Sequence, residues 1–199
     1  MKLEGLFSSL VLTDELSIDD DSIIEYCYNL KNTNTNWSSG RLPIEHLSEP
    51  PLNVLVKEID DRVKILKSEF SIKQEINTTM TDYWANIHVP EDRQTIPSSI
   101  PHFHSGYFLS AVYYPKASQG AGNLTLMAPF NAIEQNLTYA HLDTPGYFNA
   151  PTWNIEPHKG KLVIFPSWLM HYVNPNNSLQ DRISIAFNIS LPSLVELRT

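Results

Sequence analysis

The sequence contains few of the residues that build disulfides, basic surfaces or membrane helices. Cys27 is the only cysteine, which excludes an internal disulfide and any metal site that needs several thiolates. The 22 acidic residues outnumber the 14 basic ones, and no run of Lys or Arg forms the stripe that a phosphate backbone attracts. No segment approaches the ~20 apolar residues of a membrane helix, and no signal-type apolar core follows Met1. We therefore expect a cytoplasmic protein without nucleic-acid or membrane partners, and its oligomeric state stays open.

Glycine is scarce as well, whereas proline and aromatic residues are frequent. The chain has 7 Gly against 14 Pro, 9 Tyr, 8 Phe and 4 Trp. Such a composition favours short extended segments separated by turns. A length of 199 residues suits one domain with a single core. We predict one domain over residues 1–199, with a helical support region in residues 1–80 and a β-rich core in residues 81–192.

Two helical patterns lie in the support region. The first ends near Asn32 and begins after one of three suitable N-caps, namely Asp20, Asp21 or Ser22. The second follows Pro50-Pro51 and carries one apolar stripe over residues 52–70. We expect this stripe to pack against a sheet and the opposite face to carry the charges of Lys57, Asp60, Asp61 and Lys67. Residues 32–49, rich in Asn, Ser, Thr and Pro, are predicted to form a surface loop.

From about Ser71 the hydrophobic period changes to two, which is typical of strands. Together with the helices before them, these strands favour an antiparallel sandwich or barrel with helices packed on one outer face. Residues 131–158 form a long irregular segment of the kind that often binds ligands. The predicted strands are Ile72–Ile76, Asp82–His88, Tyr107–Tyr114, Asn123–Met127, Lys161–Phe165, Trp168–Val173 and Arg182–Leu191.

His102 and His104 are the first candidates for chemistry. They flank Phe103, and residues two apart in an extended chain point to the same side, so both imidazoles can reach one point. Such a pair is able to coordinate a metal ion through both imidazoles. Two histidines at this spacing also occur by chance, so the pair alone leaves both interpretations open.

His171 and Arg182 flank a cluster of turn-forming residues, 174–181. The cluster predicts a hairpin in which Val173 lies opposite Arg182 and His171 lies opposite Ser184. In that register the imidazole and the guanidinium share one face within a short reach.

The last predicted strand has two different faces. Ile183, Ile185, Phe187 and Ile189 fall on an apolar side, whereas the other side carries Arg182, Ser184, Ala186 and Asn188. If the polar side faces a barrel interior, the arginine needs an anion to offset its desolvation; the alternative is an ordinary solvent face. A metal and an arginine together suit a small dicarboxylate with a chelating keto-acid head, which describes 2-oxoglutarate.

Over about residues 82–191 the sequence resembles the 2-oxoglutarate and Fe(II)-dependent oxygenases, and within them small His-x-His oxygenases of bacteria and phages whose substrate is unknown. The resemblance implies a mainly β fold, a double-stranded β-helix (jelly roll, cupin-like) with the two N-terminal helices packed on the major sheet. Residues 81–192 are then the jelly-roll core of a single oxygenase domain. The resemblance is carried, in order, by Trp84-Ala85-Asn86, His102-Phe103-His104, residues 110–114, 120–124 and 160–167, His171, and residues 182–188.

The resemblance also implies a site. His102, His104 and His171 would be the metal ligands, Arg182 would bind the tail of 2-oxoglutarate, and these four form the catalytic set. Tyr114 and Ser184 would contact the same tail, and Asn86 and Asn188 would project toward the iron. The wider superfamily has a carboxylate where this chain has His104, so another metal, or a ligand supplied by Asp143 or water, stays open.

The implied reaction is hydroxylation of a C–H bond of a small molecule or peptide, with release of succinate and CO2. Two other functions remain possible, a cupin-like metalloenzyme that does not use 2-oxoglutarate and a non-catalytic jelly-roll binding or virion module.

Since imidazole binds metal only when neutral, metal affinity should fall as the pH drops toward 6.5. We expect Trp84, Trp153 and Trp168 to serve packing, and His46, His88, His141 and His158 to lie on the surface or in loops.

Overall fold

The computed structural model describes residues 2, 9–31, 36–90, 99–129, 141, 143–144, 146–147 and 149–192. Over these residues the chain forms strands β1–β9, helices α1 and α2, and one 3₁₀ helix. None of the helices there is long and apolar enough to cross a membrane. The elements are β1 (Leu12–Glu15), α1 (Asp20–Leu30), β2 (Trp37–Ser38), the 3₁₀ helix (Ile44–Ser48), α2 (Leu52–Glu69), β3 (Thr79–His88), β4 (Leu109–Lys116), β5 (Leu124–Met127), β6 (Thr152–Ile155), β7 (Lys161–Pro166), β8 (His171–Val173) and β9 (Arg182–Ser190).

The strands form two antiparallel sheets. The major sheet has the order β1-β7-β4-β9-β3-β2, and the minor sheet has the order β6-β5-β8. Apolar side chains of both sheets meet between them, with Tyr114 and Phe165 from the major sheet against Leu124 and Leu126 from the minor sheet. The molecule is thus a mainly β double-stranded β-helix, as expected. The first 80 residues add β1 and β2, the two edge strands of the major sheet.

The two helices cover the outer face of the major sheet. The predicted apolar stripe of α2 is buried at Leu52, Leu55, Ile59, Val63 and Leu66, and it shares one hydrophobic core with the sheet. In β3 the residues at odd positions, Tyr83, Ala85 and Ile87, belong to this core. Because strand side chains alternate, Trp84, Asn86 and His88 point the other way, into the space between the sheets.

Three local predictions about the support region are wrong. The N-cap of α1 is Asp19, whose carboxylate accepts a hydrogen bond from the backbone N–H of Ser22 at 3.2 Å. Lys67 lies on the buried side of α2, where its ammonium donates to the carbonyl oxygen of Ile76 at 2.5 Å and to that of Gln74 at 3.4 Å. These bonds tie residues 72–76 to the end of α2 as turns, so the strand predicted there does not form.

The hairpin predicted between His171 and Arg182 is also wrong. β8 pairs with β5 in the minor sheet, whereas β9 pairs with β3 and β4 in the major sheet. The turn cluster between them crosses from one sheet to the other. Its conformation is held by Asn176, whose amide donates to the carbonyl oxygens of His88 and Gln180, both at 2.8 Å.

The other strand limits differ modestly from the prediction. β4 runs two residues later than predicted, and only the last three residues of the Trp168–Val173 segment form β8. β6 lies within residues 131–158, which had been predicted to be irregular, and it pairs with β5. Most of residues 131–148 lie outside the described part of the chain.

Candidate metal centre

Three imidazoles converge at one end of the space between the sheets. His102, His104 and His171 each offer one ring nitrogen, and these nitrogens lie within 4.8 Å of one another. The ring centroids of His102 and His171 are 4.4 Å apart, and those of His104 and His171 are 5.2 Å apart. Among the described residues this is the group whose donor atoms could share one metal ion. The structure thus brings the three predicted ligands together, and their binding of a metal stays a prediction.

Backbone hydrogen bonds fix where the three histidines stand. The N–H of His102 donates to the carbonyl of His171 at 2.9 Å, and the N–H of His171 donates to the carbonyl of His102 at 2.8 Å. The N–H of His104 donates to the carbonyl of Ser167 at 2.8 Å. Segments far apart in sequence are therefore locked together by the main chain, independently of any bound ion.

The side-chain hydrogen bonds set the protonation of two rings. Nδ1 of His102 lies 2.8 Å from the carbonyl oxygen of Ile100, and Nδ1 of His171 lies 2.9 Å from that of Leu169. A carbonyl oxygen only accepts, so Nδ1 carries the proton in both rings. Their Nε2 lone pairs are left for a metal, which is the usual arrangement for a ligating histidine.

His104 is held differently. The side-chain amide of Asn188 donates from Nδ2 to Nδ1 of His104 over 3.3 Å, and Ser110 donates from its hydroxyl to Oδ1 of Asn188 over 3.1 Å. Trp84 stacks on the His104 ring with centroids 5.6 Å apart. A neutral His104 that accepts at Nδ1 has its proton on Nε2, so ligation through Nε2 requires the Asn188 amide to turn and present Oδ1.

Burial keeps the rings of His171 and His104 neutral. It lowers the pKa of His171 to about 4, despite the opposing hydrogen bond to Leu169. Burial, with smaller contributions from His102 and Arg41, likewise lowers the pKa of His104 to about 4. Both imidazoles are therefore neutral well below pH 6.5, so these two candidate ligands are not expected to cause the predicted loss of metal affinity near pH 6.5.

Arg182 is buried inside the fold, with no exposed surface. Its Nη1 donates to the carbonyl oxygens of Ala121 at 2.6 Å, Gly122 at 3.0 Å and Asn174 at 3.1 Å. Gly122 has φ of +88°, and a Cβ there would overlap the carbonyl oxygens of Asn174 and Pro175. The polar face of β9 is thus an interior face, and the solvent-face alternative is wrong.

A cavity of about 380 Å³ extends from the three histidines along this interior face. Four predicted cofactor contacts are found near it: Tyr114, Ser184 and Asn86 line it, and Asn188 bonds to His104 at its metal end. Asn86 lies directly opposite Ser184 in the sheet. Burial raises the pKa of Tyr114 to about 12, against a lowering contribution from the Arg182 charge, so the phenol keeps its proton at neutral pH.

His88 was predicted to lie on the surface and does not. It lines the cavity, directly opposite Arg182 in the sheet. The signal that could have found it is the strand alternation, because His88 shares a face with Trp84 and Asn86. The other three histidines, His46, His141 and His158, do not line the cavity.

Other predictions about the site have mixed outcomes. Asp143 is exposed and is not part of the converging group, so it adds no carboxylate to the three imidazoles. Trp168 and Trp153 are 51% and 40% exposed, so neither lies in the apolar core, although Trp153 packs on Tyr147 with ring centroids 4.9 Å apart. Trp84 packs, but against His104 in the cavity rather than in the apolar core.

The fold and the site together define a class, that of metal-dependent enzymes built on a double-stranded β-helix. Comparison with family models is more specific: residues 82–188, just over half the chain, match the model described as "Putative 2OG-Fe(II) oxygenase". The chain belongs to this family of 2-oxoglutarate-dependent oxygenases, which use Fe(II) and 2-oxoglutarate. No curated protein matches the sequence.

Solved structures of such oxygenases share the fold. The epimerase SnoN from nogalamycin biosynthesis aligns with 92% of this chain and 77% of its own at TM-score 0.63 and 11% identity. A prolyl-4-hydroxylase from Pseudomonas putida aligns with 92% of this chain and 93% of its own at TM-score 0.58 and 14% identity. HygX from Streptomyces hygroscopicus, solved with nickel and 2-oxoglutarate bound, aligns with 94% of this chain and 84% of its own at TM-score 0.55 and 14% identity.

Proposed function

We propose that the protein hydroxylates a C–H bond of a small-molecule or peptide substrate, with His102, His104 and His171 as the metal ligands. Arg182 supplies the positive charge for the far carboxylate of 2-oxoglutarate. Tyr114 and Ser184 line the path between the two ends of that cosubstrate. When bound, the Fe(II) and 2-oxoglutarate pair supplies the oxidising chemistry, in which O2 is consumed and succinate, CO2 and the hydroxylated substrate are formed.

The observation that carries this proposal is the joint position of the imidazoles and the guanidinium within one β-helix. The donor nitrogens of the histidines converge within 4.8 Å, and the buried Arg182 is close enough to His88 and Tyr114, which line the same cavity, for its charge to act on both. Two of the three rings have their Nε2 lone pairs free, which suits a divalent ion of the iron type. The donor set therefore fits the cofactors of the family.

The chain's own residues have defined tasks in this scheme. Three carbonyl oxygens hold Nη1 of Arg182, so the guanidinium is oriented before any ligand enters. Tyr114, protonated at neutral pH, presents a hydroxyl that is able to donate to a carboxylate. A buried cation and a neutral donor bind an anion more strongly in this interior than in water, because the local dielectric constant is low.

Residues of the predicted surface loop support a role in substrate access. Asn36, Trp37 and Ser38 line the cavity, and β2 places Trp37 opposite Ile87 and Ser38 opposite Asn86. The solved relatives include a prolyl-4-hydroxylase and HygX, which has also been solved with hygromycin B bound. Both kinds of substrate, peptidyl and small-molecule, are compatible with this proposal.

The experiment that tests the proposal is an anaerobic titration of Fe(II)-loaded protein with 2-oxoglutarate, followed by visible absorption. A weak charge-transfer band is expected, together with succinate release once O2 is admitted. His171→Ala should abolish the band, whereas His158→Ala, a change at the exposed partner of Glu15, should retain it. Stoichiometric metal without the band would favour a cupin-like enzyme that does not use 2-oxoglutarate. Absence of stoichiometric metal would favour a binding module.

A further inference from the structure

His88 is the last residue of β3, and its Cα pairs with that of Arg182 in β9. Four residues earlier on the same strand face, Trp84 stacks on His104. At about 3.3 Å per residue, His88 lies roughly 13 Å along the strand from that point, near Arg182 and away from the metal ligands. The cavity wall therefore has three imidazoles at the metal end and that of His88 at the other, and only the first three have a proposed task.

One nitrogen of the His88 ring, Nδ1, is not committed to a partner. Within the described residues this atom is buried and has no hydrogen bond. This differs from His102 and His171, whose Nδ1 atoms face backbone carbonyl oxygens. Buried polar atoms without a partner are rare in folded proteins, and each needs an explanation. A ring without a fixed Nδ1 contact is able to carry its proton on whichever nitrogen meets a ligand.

The surroundings of His88 favour a ligand that accepts hydrogen bonds. Burial and the nearby positive charge of Arg182 lower the pKa of His88 to about 3, so the ring is neutral and offers one N–H. Tyr114 and Ser184 contribute hydroxyl groups to the same cavity wall. Among the charged side chains, Arg182 is paired with His88 across β3 and β9, and its positive charge acts on the ring. A cation surrounded by neutral donors is a suitable site for one carboxylate.

We propose that His88 donates a ring N–H to the distal carboxylate of 2-oxoglutarate, beside Arg182 and Tyr114, and so helps this site to select a dicarboxylate. The inference rests on the proposed function, since it concerns the tail of the same cosubstrate. It assigns a binding role to a residue that the metal centre does not use.

The test compares two keto acids on anaerobic Fe(II)-loaded protein by calorimetric titration. 2-Oxopentanoate keeps the keto-acid head and the five-carbon chain of 2-oxoglutarate but lacks the distal carboxylate. His88→Phe, which fills the space without a donor, should weaken 2-oxoglutarate binding about tenfold or more, as expected for a lost hydrogen bond to a charged group. Binding of 2-oxopentanoate should change by less than about twofold, because this ligand has no distal carboxylate to lose a hydrogen bond.

Two further variants guard against a purely structural effect. His88→Gln places an amide near the position of Nε2 and His88→Asn places one near Nδ1, so rescue by one of them identifies the nitrogen that donates. His158→Ala serves as the matched control, because this histidine lies at the surface beside Glu15. Each variant is first checked for a wild-type thermal transition, and His88→Leu, which also has no donor, replaces His88→Phe if that variant does not fold.

Equal weakening for both keto acids, or no weakening of 2-oxoglutarate binding, would overturn the assignment of His88. These outcomes are separable from failure of the proposed function. If the wild-type protein does not bind 2-oxoglutarate, the function itself fails. If the wild-type protein prefers 2-oxoglutarate to 2-oxopentanoate and His88→Phe keeps that preference, only the role of His88 fails.

Discussion

Asn188 donates a hydrogen bond from Nδ2 to Nδ1 of His104 across 3.3 Å. The same amide accepts at Oδ1 from the hydroxyl of Ser110, which also lies 2.9 Å from the hydroxyl of Ser167. Hydroxyl groups both donate and accept. The donors and acceptors in this buried series of hydrogen bonds are therefore able to exchange roles when the Asn188 amide turns. The orientation of one amide therefore decides whether His104 presents a lone pair or a proton on Nε2.

Asn188 should control how tightly the metal binds. Asn188→Leu removes the orienting group from His104 and should weaken metal affinity by about 10- to 100-fold, as is typical for groups that orient a ligating histidine. Asn188→Asp can only accept from Nδ1, so it should favour the tautomer with a free Nε2 and retain metal binding. Competition titration with a chelator measures both variants. Exposed Asn29→Leu on α1 is the control, and equal affinity of all three variants would contradict this role for Asn188.

The metal-free protein should lose stability in mild acid. The pKa values of His171 and His104 are lowered to about 4 in the folded state from an ordinary value near 6.5. The unfolded chain therefore binds more protons between these values, and the free energy of unfolding falls as the pH drops from about 6.5 to about 4. A fully buried histidine such as His171 contributes at most about 1.4 kcal/mol per pH unit in this window. Urea unfolding at several pH values measures the slope, which should become shallower in His171→Phe.

Gly122 should be far less tolerant of a side chain than Gly120. Both have positive φ, +88° and +81°, so alanine is strained at either position. A Cβ at Gly122 would also overlap two carbonyl oxygens and lie 2.8 Å from Nη1 of Arg182, whereas at Gly120 the nearest atom is 3.9 Å away. Gly120→Ala should cost about 1 kcal/mol and Gly122→Ala about 1–3 kcal/mol more. Urea unfolding of the two variants tests the difference, and equal losses would argue against crowding around Arg182.

Arg182 should matter for both cosubstrate binding and stability. Arg182→Met removes the charge that we propose binds the far carboxylate, and it leaves the carbonyl oxygens of Ala121, Gly122 and Asn174 without this donor. We expect 2-oxoglutarate binding to weaken on the order of 100-fold and the free energy of unfolding to fall by about 1–3 kcal/mol. Arg182→Lys keeps the charge and should lie between wild type and Arg182→Met in both measurements. Anaerobic calorimetry and urea unfolding provide the readouts.

Periodicity explains what could be predicted along the chain. The apolar stripe of α2 predicted its buried face, because a helix that packs on a sheet must hide one side. The alternation in β9 predicted its two faces in the same way, with Ile183, Ile185, Phe187 and Ile189 in the core. The His-x-His pair and His171 were recognisable because metal chemistry restricts the residue types that can serve as ligands.

Lys67 and the predicted hairpin show where a local pattern is insufficient. Lys67 was assigned to the charged, exposed face of α2. Its ammonium is nevertheless buried, because the carbonyl oxygens of residues 74 and 76 accept its hydrogen bonds. Turn-forming residues separate β8 from β9, yet the two strands pair with other strands in two different sheets. Which carbonyl receives a cation, or which strand edge receives a neighbour, depends on residues distant in sequence.

The sequence by itself determined the strand faces, the two helices and the side chains able to bind a metal, since these follow from spacing and residue chemistry. Only the tertiary structure decided that His102 pairs through its backbone with His171, that Asn188 orients His104, and that His88 stands opposite Arg182. These relationships are long-range contacts between strands, and strand pairing is selected by the packing of the whole β-helix rather than by any one segment.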